Sequence, residues 1–384
     1  MSDRTFSRRD FIVKTSQAAA VAAAAGHAGG AEAAPSTEKI VNYNSQMKYR
    51  KLGKTNLMLS EVSLGGHWKN RSGHRYWDTF AKDEAPADVA KNRSEVVSAC
   101  IDAGINYLDI TTAAECLSYG AALKGRREKF IVGGDDHRLG PRNFKRCNVK
   151  DLTENIDECL RRMKFDYLDI WRIQADMAGK NTDAHMEVMI ETFEKARQQG
   201  KAKHFGISSH KRDWLKHVID KYPAVEMIVF PCTAKTKKAG QPIVKENLVE
   251  KDAGSGGKDM TTSIFESVRK QNVGLVTIKP FGGGGVFPSC ENRTAKFPVM
   301  GVGSKDENDL ARLTLQCILT RYDEITCAVP GMTTVYEVEN NARASYTRMA
   351  GITPAEEQWI EEMTERGLAS LPPDYQWLRD WDVV

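Results

Sequence analysis

The chain has 384 residues, 41% of them hydrophobic, and 55 Lys and Arg against 51 Asp and Glu, a net charge of +4. Mixed charge of this kind offers no basic face for nucleic acid, and a chain of this size can bury a substantial core. The cysteines (Cys100, Cys116, Cys147, Cys159, Cys232, Cys290, Cys317 and Cys327) include no CxxC pair, which argues against a ferredoxin-type cluster or zinc ribbon and leaves disulfide pairing open.

At the N-terminus, Ser7-Arg8-Arg9-Asp10-Phe11 precedes an alanine run, Ala18 to Ala25, and the small-residue segment Ala31-Glu32-Ala33-Ala34. This pattern resembles a twin-arginine export signal. The run is too short, and too rich in Ala and Gly, to cross roughly 30 Å of hydrocarbon. The expected organisation is a signal peptide over residues 1–34, read by the twin-arginine export machinery. Residues 35–384 then form a single exported, periplasmic domain with no stable membrane insertion.

Residues 49–60 read as a short hairpin, followed by a first strand at 61–66. Short apolar runs at 107–110, 129–132, 167–173, 204–207, 225–230, 274–278 and 325–329 suit strands buried on both faces. Helical patterns such as 150–163, 185–199 and 308–321 lie between them, and Gly104 and Gly200 mark helix ends. Eight strands with intervening helices predict an α/β fold, a (β/α)8 TIM barrel with an N-terminal hairpin closing its bottom and a C-terminal extension. An open doubly wound sheet is disfavoured because no GxGxxG follows the first strand. Two long βα loops, from His67 to Ala87 and from Pro231 to Thr262, leave strand C-termini, the face where barrel chemistry sits.

The segments YRKLGKT (49–55), GINYLD (104–109), ALKGRREK (122–129), YLDI (167–170), GIS (206–208), KPFGGG (279–284) and VPG (329–331) resemble the aldo-keto reductases, in order and over the whole chain after residue 34. The resemblance implies an oxidoreductase that reduces carbonyls with NADP or NAD. Its proton donor is a Tyr assisted by Lys, Asp and His at neighbouring strand ends, the Lys lowering the phenol pKa. Carried over by position, the Asp is Asp109, whereas the Tyr falls on Ala114, the Lys on Asp135 and the His on Gln174. By strand alternation Ile170, Arg172 and Gln174 share a face, so an inward Arg172 is expected to pair with Asp109 or Asp135. The candidate catalytic set is Asp109, Arg172, Gln174 and Asp135. Tyr119 is a possible substitute donor, with packing against the barrel as its alternative.

For the cofactor, Ser208 matches the residue that meets the nicotinamide amide, with Ser209 where the family has Asn. Met227 stands for its Gln, Ile278 for its stacking aromatic, and Thr334 for the Arg facing the 2′-phosphate. Lys279, Gly282, Gly283 and Asn341 complete the expected cofactor set. His67, Trp68 and Trp77 in the first long loop suit stacking and hydrogen bonding to a sugar-like substrate. Asp135, Asp136, His137, Glu115 and His210 make an oxygen- and imidazole-rich rim, but no pair has a metal-motif spacing, so no metal ligands are assigned. Cys116 and Cys232 fall near the mouth as well, where inert burial is the default. Three functions follow. The first is an exported oxidoreductase acting on a small carbonyl or sugar, the second a non-catalytic barrel binding a carbohydrate-like ligand, and the third a metal-dependent isomerase or lyase.

Overall fold

The computed structural model describes residues 39–68, 74–236, 263–288, 290–291, 299–300 and 305–371. The segment expected to be a signal peptide and most of the second long loop lie outside the described residues. Ile40–Val384 forms one compact unit.

The hairpin is present, with β1 (Tyr49–Lys51) antiparallel to β2 (Met58–Ser60). The parallel strands follow: β3 (Leu64–Gly65), β4 (Tyr107–Ile110), β5 (Ile131–Gly134), β6 (Leu168–Gln174), β7 (Ala202–Ser208), β8 (Met227–Pro231) and β9 (Gly274–Ile278). A two-stranded excursion, β10 (Cys290–Glu291) with β11 (Val299–Met300), precedes β12 (Ile325–Val329), the last barrel strand. The sheet runs β12-β9-β8-β7-β6-β5-β4-β3. Bridges from Val62 to Ala328 and from Gly65 to Gly331 join its two edges. The fold is the (β/α)8 barrel.

Surrounding helices are α1 (Ala87–Asp102), α2 (Ala113–Ala122), α3 (Val149–Met163), α4 (Asp183–Gln198), α5 (Arg212–Lys221), α6 (Ile264–Gln271), α7 (Lys305–Arg321), α8 (Val335–Tyr346) and α9 (Pro354–Ala369). Helix α3 shows why these segments are helical. Leu152, Ile156, Cys159 and Met163 recur on one buried face, Asn148 caps the start by accepting from Asp151 N at 3.0 Å, and Lys164 ends it at φ 58°. Gly104 and Gly200, at φ 79° and 74°, end α1 and α4 as expected. No helix among the described residues is long and apolar enough to cross a membrane.

Strand β5 differs from expectation. Residues 127–129 form a 3-10 turn, and the strand instead carries Gly133 and Gly134. The pair reads as a loop by composition, yet both glycines answer a packing demand. A Cβ on Gly133 would lie 2.6 Å from the Tyr107 hydroxyl, and one on Gly134 would lie 2.2 Å from the Ile110 carbonyl. The two glycines admit the Tyr107 ring into the barrel and deliver Asp135 to the strand end.

The barrel interior holds Tyr107, Ile131, Ile170, Met227, Val229, Val276, Cys327 and Val329, plugged from below by Leu52 and Leu59 of the hairpin. Between them Gly53 takes φ 50°, and its Cα lies so close to β9 that a Cβ would stand 2.3 Å from Gly274 N. Backbone cannot move aside cheaply. Gly53→Ala is expected to cost ~2 kcal/mol or more of stability; equal denaturant midpoints for variant and wild type would contradict this account of how the bottom is closed.

Candidate functional site

At the C-terminal end of the barrel the register sets Gly65, Asp109 and Gly133 side by side and Gln174 next to Ser208. Arg172 reaches inward from β6. Its Nε donates to Asp109 Oδ1 at 2.8 Å, Nη2 to the Ile110 carbonyl at 2.8 Å and Nη1 to Ser208 Oγ at 3.3 Å, with Asp135 Oδ1 3.8 Å away. The expected pairing with Asp109 is therefore made, and both side chains are almost wholly buried. Burial opposes the Arg172 charge, but Asp109 and Asp135 outweigh it and hold its pKa above the ordinary value. Below the pair, Tyr107 donates to the same Asp109 Oδ1 at 3.1 Å.

Gln174 secures the second carboxylate. Its Nε2 donates to Asp135 Oδ1 at 2.6 Å and its backbone amide to Oδ2 at 3.1 Å. Burial still raises the Asp135 pKa to about 6. Arg142, from the loop after β5, donates to the Ala175 carbonyl and to Gln174 Oε1, each at 3.2 Å. Lys279 follows β9 in a left-handed conformation, φ 56°, which costs a non-glycine residue on the order of 1 kcal/mol. Burial and then the Arg142 charge lower its amine to about 8, and its charge acts on both His67 and His210. The mouth thus gathers Arg142, Arg172 and Lys279 around two carboxylates and three imidazoles, those of His67, His137 and His210.

His67 lies at the mouth as expected, stacked on Tyr76 with ring centroids 3.9 Å apart. Trp68 does not. It is buried behind β3, edge-on to Tyr119 at 5.9 Å with the Arg93 guanidinium 5.3 Å over it, so apolar packing has drawn it away from any substrate. Trp77 is half-buried, its ring edge-on to Tyr76 at 4.5 Å, where it braces the loop. Tyr119 donates to the Gly65 carbonyl at 3.1 Å and is fully buried; it packs rather than faces the mouth. Ser209 is held in a turn, its hydroxyl donating to the Asp176 carbonyl at 2.8 Å and accepting from Lys211 N at 3.2 Å. Cys116 and Cys232 are buried free thiols.

The proposed metal rim does not assemble. Among the described residues no group of three or more His, Cys, Asp or Glu is placed to hold an ion. Asp136 instead pairs with Arg162 at 2.9 Å and receives Arg138 N at 3.2 Å.

A family model, the Aldo/keto reductase family, matches residues 76–350. The chain belongs to that family. L-galactose dehydrogenase of Arabidopsis thaliana is 24% identical over 319 residues, covering 78% of this chain and 88% of that protein. YqkF, an uncharacterized oxidoreductase of Bacillus subtilis, is 25% identical over 213 residues, 53% of this chain and 62% of that protein. For the 6-dehydroglucose reductase of Novosphingobium aromaticivorans the identity is 27% and the shares 43% and 52%. The chain thus spans between half and two thirds of the length of these last two. An aldo-keto reductase of Bacillus halodurans in its holo form shares the fold, with a TM-score of 0.55, 20% identity and coverage of 83% and 96%. So does an aldo/keto reductase of Klebsiella pneumoniae in complex with NADP and acetate, with a TM-score of 0.53, 14% identity and coverage of 83% and 93%.

Whether a dinucleotide fits this aldo-keto reductase can be judged from its own groups. Asn341 is 3% exposed on α8. Ser208 stands beside Arg172 at the other end, and Lys279 lies at the mouth with them. The glycine turn contributes less than expected. Gly282 N and Gly284 N are bound to the carbonyls of Lys279 and Phe281, and helix α9 brings Gly367 hard against Gly285. At the start of α8, Glu337 Oε2 accepts from Thr333 N at 2.5 Å, Thr333 Oγ1 at 2.9 Å and Thr334 N at 3.0 Å. A carboxylate thus occupies the donors at the start of this helix.

Arg142 and Tyr107 join the site without a role assigned from sequence, and Glu115, expected only as part of an oxygen-rich rim, lies buried behind His67. A non-glycine residue at positive φ before Pro280 is the one sequence-invisible mark of Lys279's place. Removing Arg172 strands a buried carboxylate, so Arg172→Met is expected to lose ~3–5 kcal/mol, with Asp109→Asn in the same chain restoring part of it. Additive losses in that double-mutant cycle would deny that the two residues act as a pair.

Proposed function

We propose that the chain is an exported oxidoreductase that interconverts a carbonyl and an alcohol on a small, sugar-like molecule, using a nicotinamide dinucleotide without a 2′-phosphate. The observation that carries this reading is the Asp109–Arg172 pair beside Lys279 and Arg142 at the strand C-termini of an aldo-keto reductase barrel. Relatives named for galactose and dehydroglucose support a sugar substrate. Ser208, Lys279 and Asn341 would hold the dinucleotide, which when bound supplies or accepts the hydride. The chain's own groups bind and orient the substrate. Arg142 and Lys279 present donors to a carbonyl or hydroxyl oxygen, and Tyr76 stacks on His67 beside them.

A second reading, carbohydrate binding without turnover, draws on the same ion pair, because Arg172 occupies the one retained family carboxylate. NADH fluorescence titration separates the two. Micromolar binding of NADH, at least about tenfold tighter than NADPH, is expected from the Glu337 carboxylate, and Glu337→Gln should narrow the gap. No binding of either dinucleotide at millimolar concentration would leave only the second reading.

The export part rests on Arg8 and Arg9 ahead of the alanine run. Expressed in a bacterium with twin-arginine transport, the protein should reach the periplasm shortened to near Ala34, and Arg8→Lys with Arg9→Lys should hold it in the cytoplasm at full length. A double variant exported like wild type would refute this signal.

A further inference from the structure

Behind His67 lies a carboxyl that the proposed chemistry has not yet used. Glu115, in the first turn of α2, is completely buried, and its Oε2 accepts from Thr111 N at 2.5 Å and Thr111 Oγ1 at 2.9 Å. Its other oxygen stands 3.3 Å from His67 Nδ1 without hydrogen-bonding geometry, and Thr111 Oγ1, hydrogen-bonded to that nitrogen at 3.1 Å, links the two groups. The carboxyl also lies flat against the backbone of Gly66, where a Cβ would be 2.2 Å from Oε2. With Nδ1 so engaged, one ring face covered by Tyr76 and 41% of the His67 side chain open, Nε2 is the nitrogen left to the mouth.

We propose that His67, backed by Glu115 and Thr111, is the proton-transfer residue of this site, in the role that a tyrosine fills elsewhere in the family. The inference rests on the oxidoreductase reading and specifies its acid–base group. In the reducing direction the carbonyl oxygen takes the proton from His67 Nε2 while a reduced nicotinamide dinucleotide delivers hydride to the carbonyl carbon. The C=O π bond breaks, new C–H and O–H bonds form, Nδ1 takes the proton of the Thr111 hydroxyl, and Thr111 Oγ1 takes that of the Glu115 carboxyl at Oε2. The resulting carboxylate is held by the two Thr111 donors. In the oxidising direction the alcohol proton returns along the same line. His67 is the catalytic residue here; Glu115 and Thr111 position it.

The protonation states agree. Burial raises Glu115 to about 8, and partial desolvation of the ring, one face of which Tyr76 covers, followed by the Lys279 charge lowers His67 below its ordinary value, so near neutrality the two form an uncharged, proton-carrying pair rather than an ion pair. The titratable and charged groups that act on the His67 ring are Lys279 after β9, Asp109 on β4, Arg172 on β6, His137 after β5, His210 after β7 and Glu115 on α2.

The test uses the mature protein, NADH and glyceraldehyde with a panel of aldoses. His67→Gln is expected to lower kcat about 100-fold or more with NADH affinity unchanged. Wild-type kcat should fall as pH rises through about 8, a limb that vanishes in Glu115→Gln but survives in Lys279→Met. A readout independent of turnover is stability against pH. A carboxyl raised from 4.5 to about 8 favours the folded state below 4.5 and loses that contribution as pH rises through 8. The melting temperature of wild type should therefore fall more steeply between pH 5 and 8 than that of Glu115→Gln, by roughly the shift that this linkage predicts. Undiminished kcat in His67→Gln overturns the proposal and spares the oxidoreductase reading. Failure of wild type to bind NADH overturns that reading, and parallel melting curves then also dismiss the Glu115 relay.

Discussion

A guanidinium buried in the throat of a barrel is the constraint around which the mouth is arranged. Arg172 has only 2% of its side chain exposed, and a charge so placed demands compensation. Asp109 supplies most of it from β4, Asp135 stands behind on β5, and the Ile110 carbonyl and Ser208 hydroxyl complete the shell. The consequences spread outward. Tyr107 fixes Asp109 from below, and its ring needs the empty side of Gly133; Gln174 fixes Asp135, and Arg142 fixes Gln174. One inward arginine thus accounts for a glycine in a strand and for a chain of polar contacts across four strand ends.

That arrangement explains how two carboxylates and a guanidinium share one buried mouth without collapse. The positions taken by Asp135 and Gln174 satisfy each other, and Arg172 restores the positive charge from a neighbouring strand. The cation has moved, and the carboxylate count at the centre has risen with it. Proton transfer then falls to groups on the opposite side of the mouth, where an imidazole and a hidden carboxyl sit against β3 and α2.

Much of this was legible in the residues. Apolar runs of strand length, separated by helical patterns, identified the barrel, and alternation along β6 put Arg172 inward and made its pairing with a carboxylate predictable. The strand expected at 129–132 instead runs through Gly133 and Gly134, where the Tyr107 hydroxyl and the Ile110 carbonyl decide the local geometry. Trp68 misled for a related reason. An aromatic next to His67 looks like a ligand platform until the chain's path buries it against Tyr119. Arg142 and Glu115 carry no motif, since their importance comes from which loops the barrel closes together.

Helix α9 shows a similar division between local pattern and tertiary demand. The glycines after β9 suggest a phosphate loop, yet two of their amides close a tight turn on which Gly367 rests directly.

The close approach of Gly66 to Glu115 carries an implication for ancestry. Any side chain at position 66 would collide with the acid two secondary-structure elements away, so neither residue can drift unless the other changes first. A Gly-His pair ending the first strand, matched with Thr-x-x-x-Glu after the second, is therefore a fingerprint by which other barrels that inherited the same arrangement could be picked out of raw sequence.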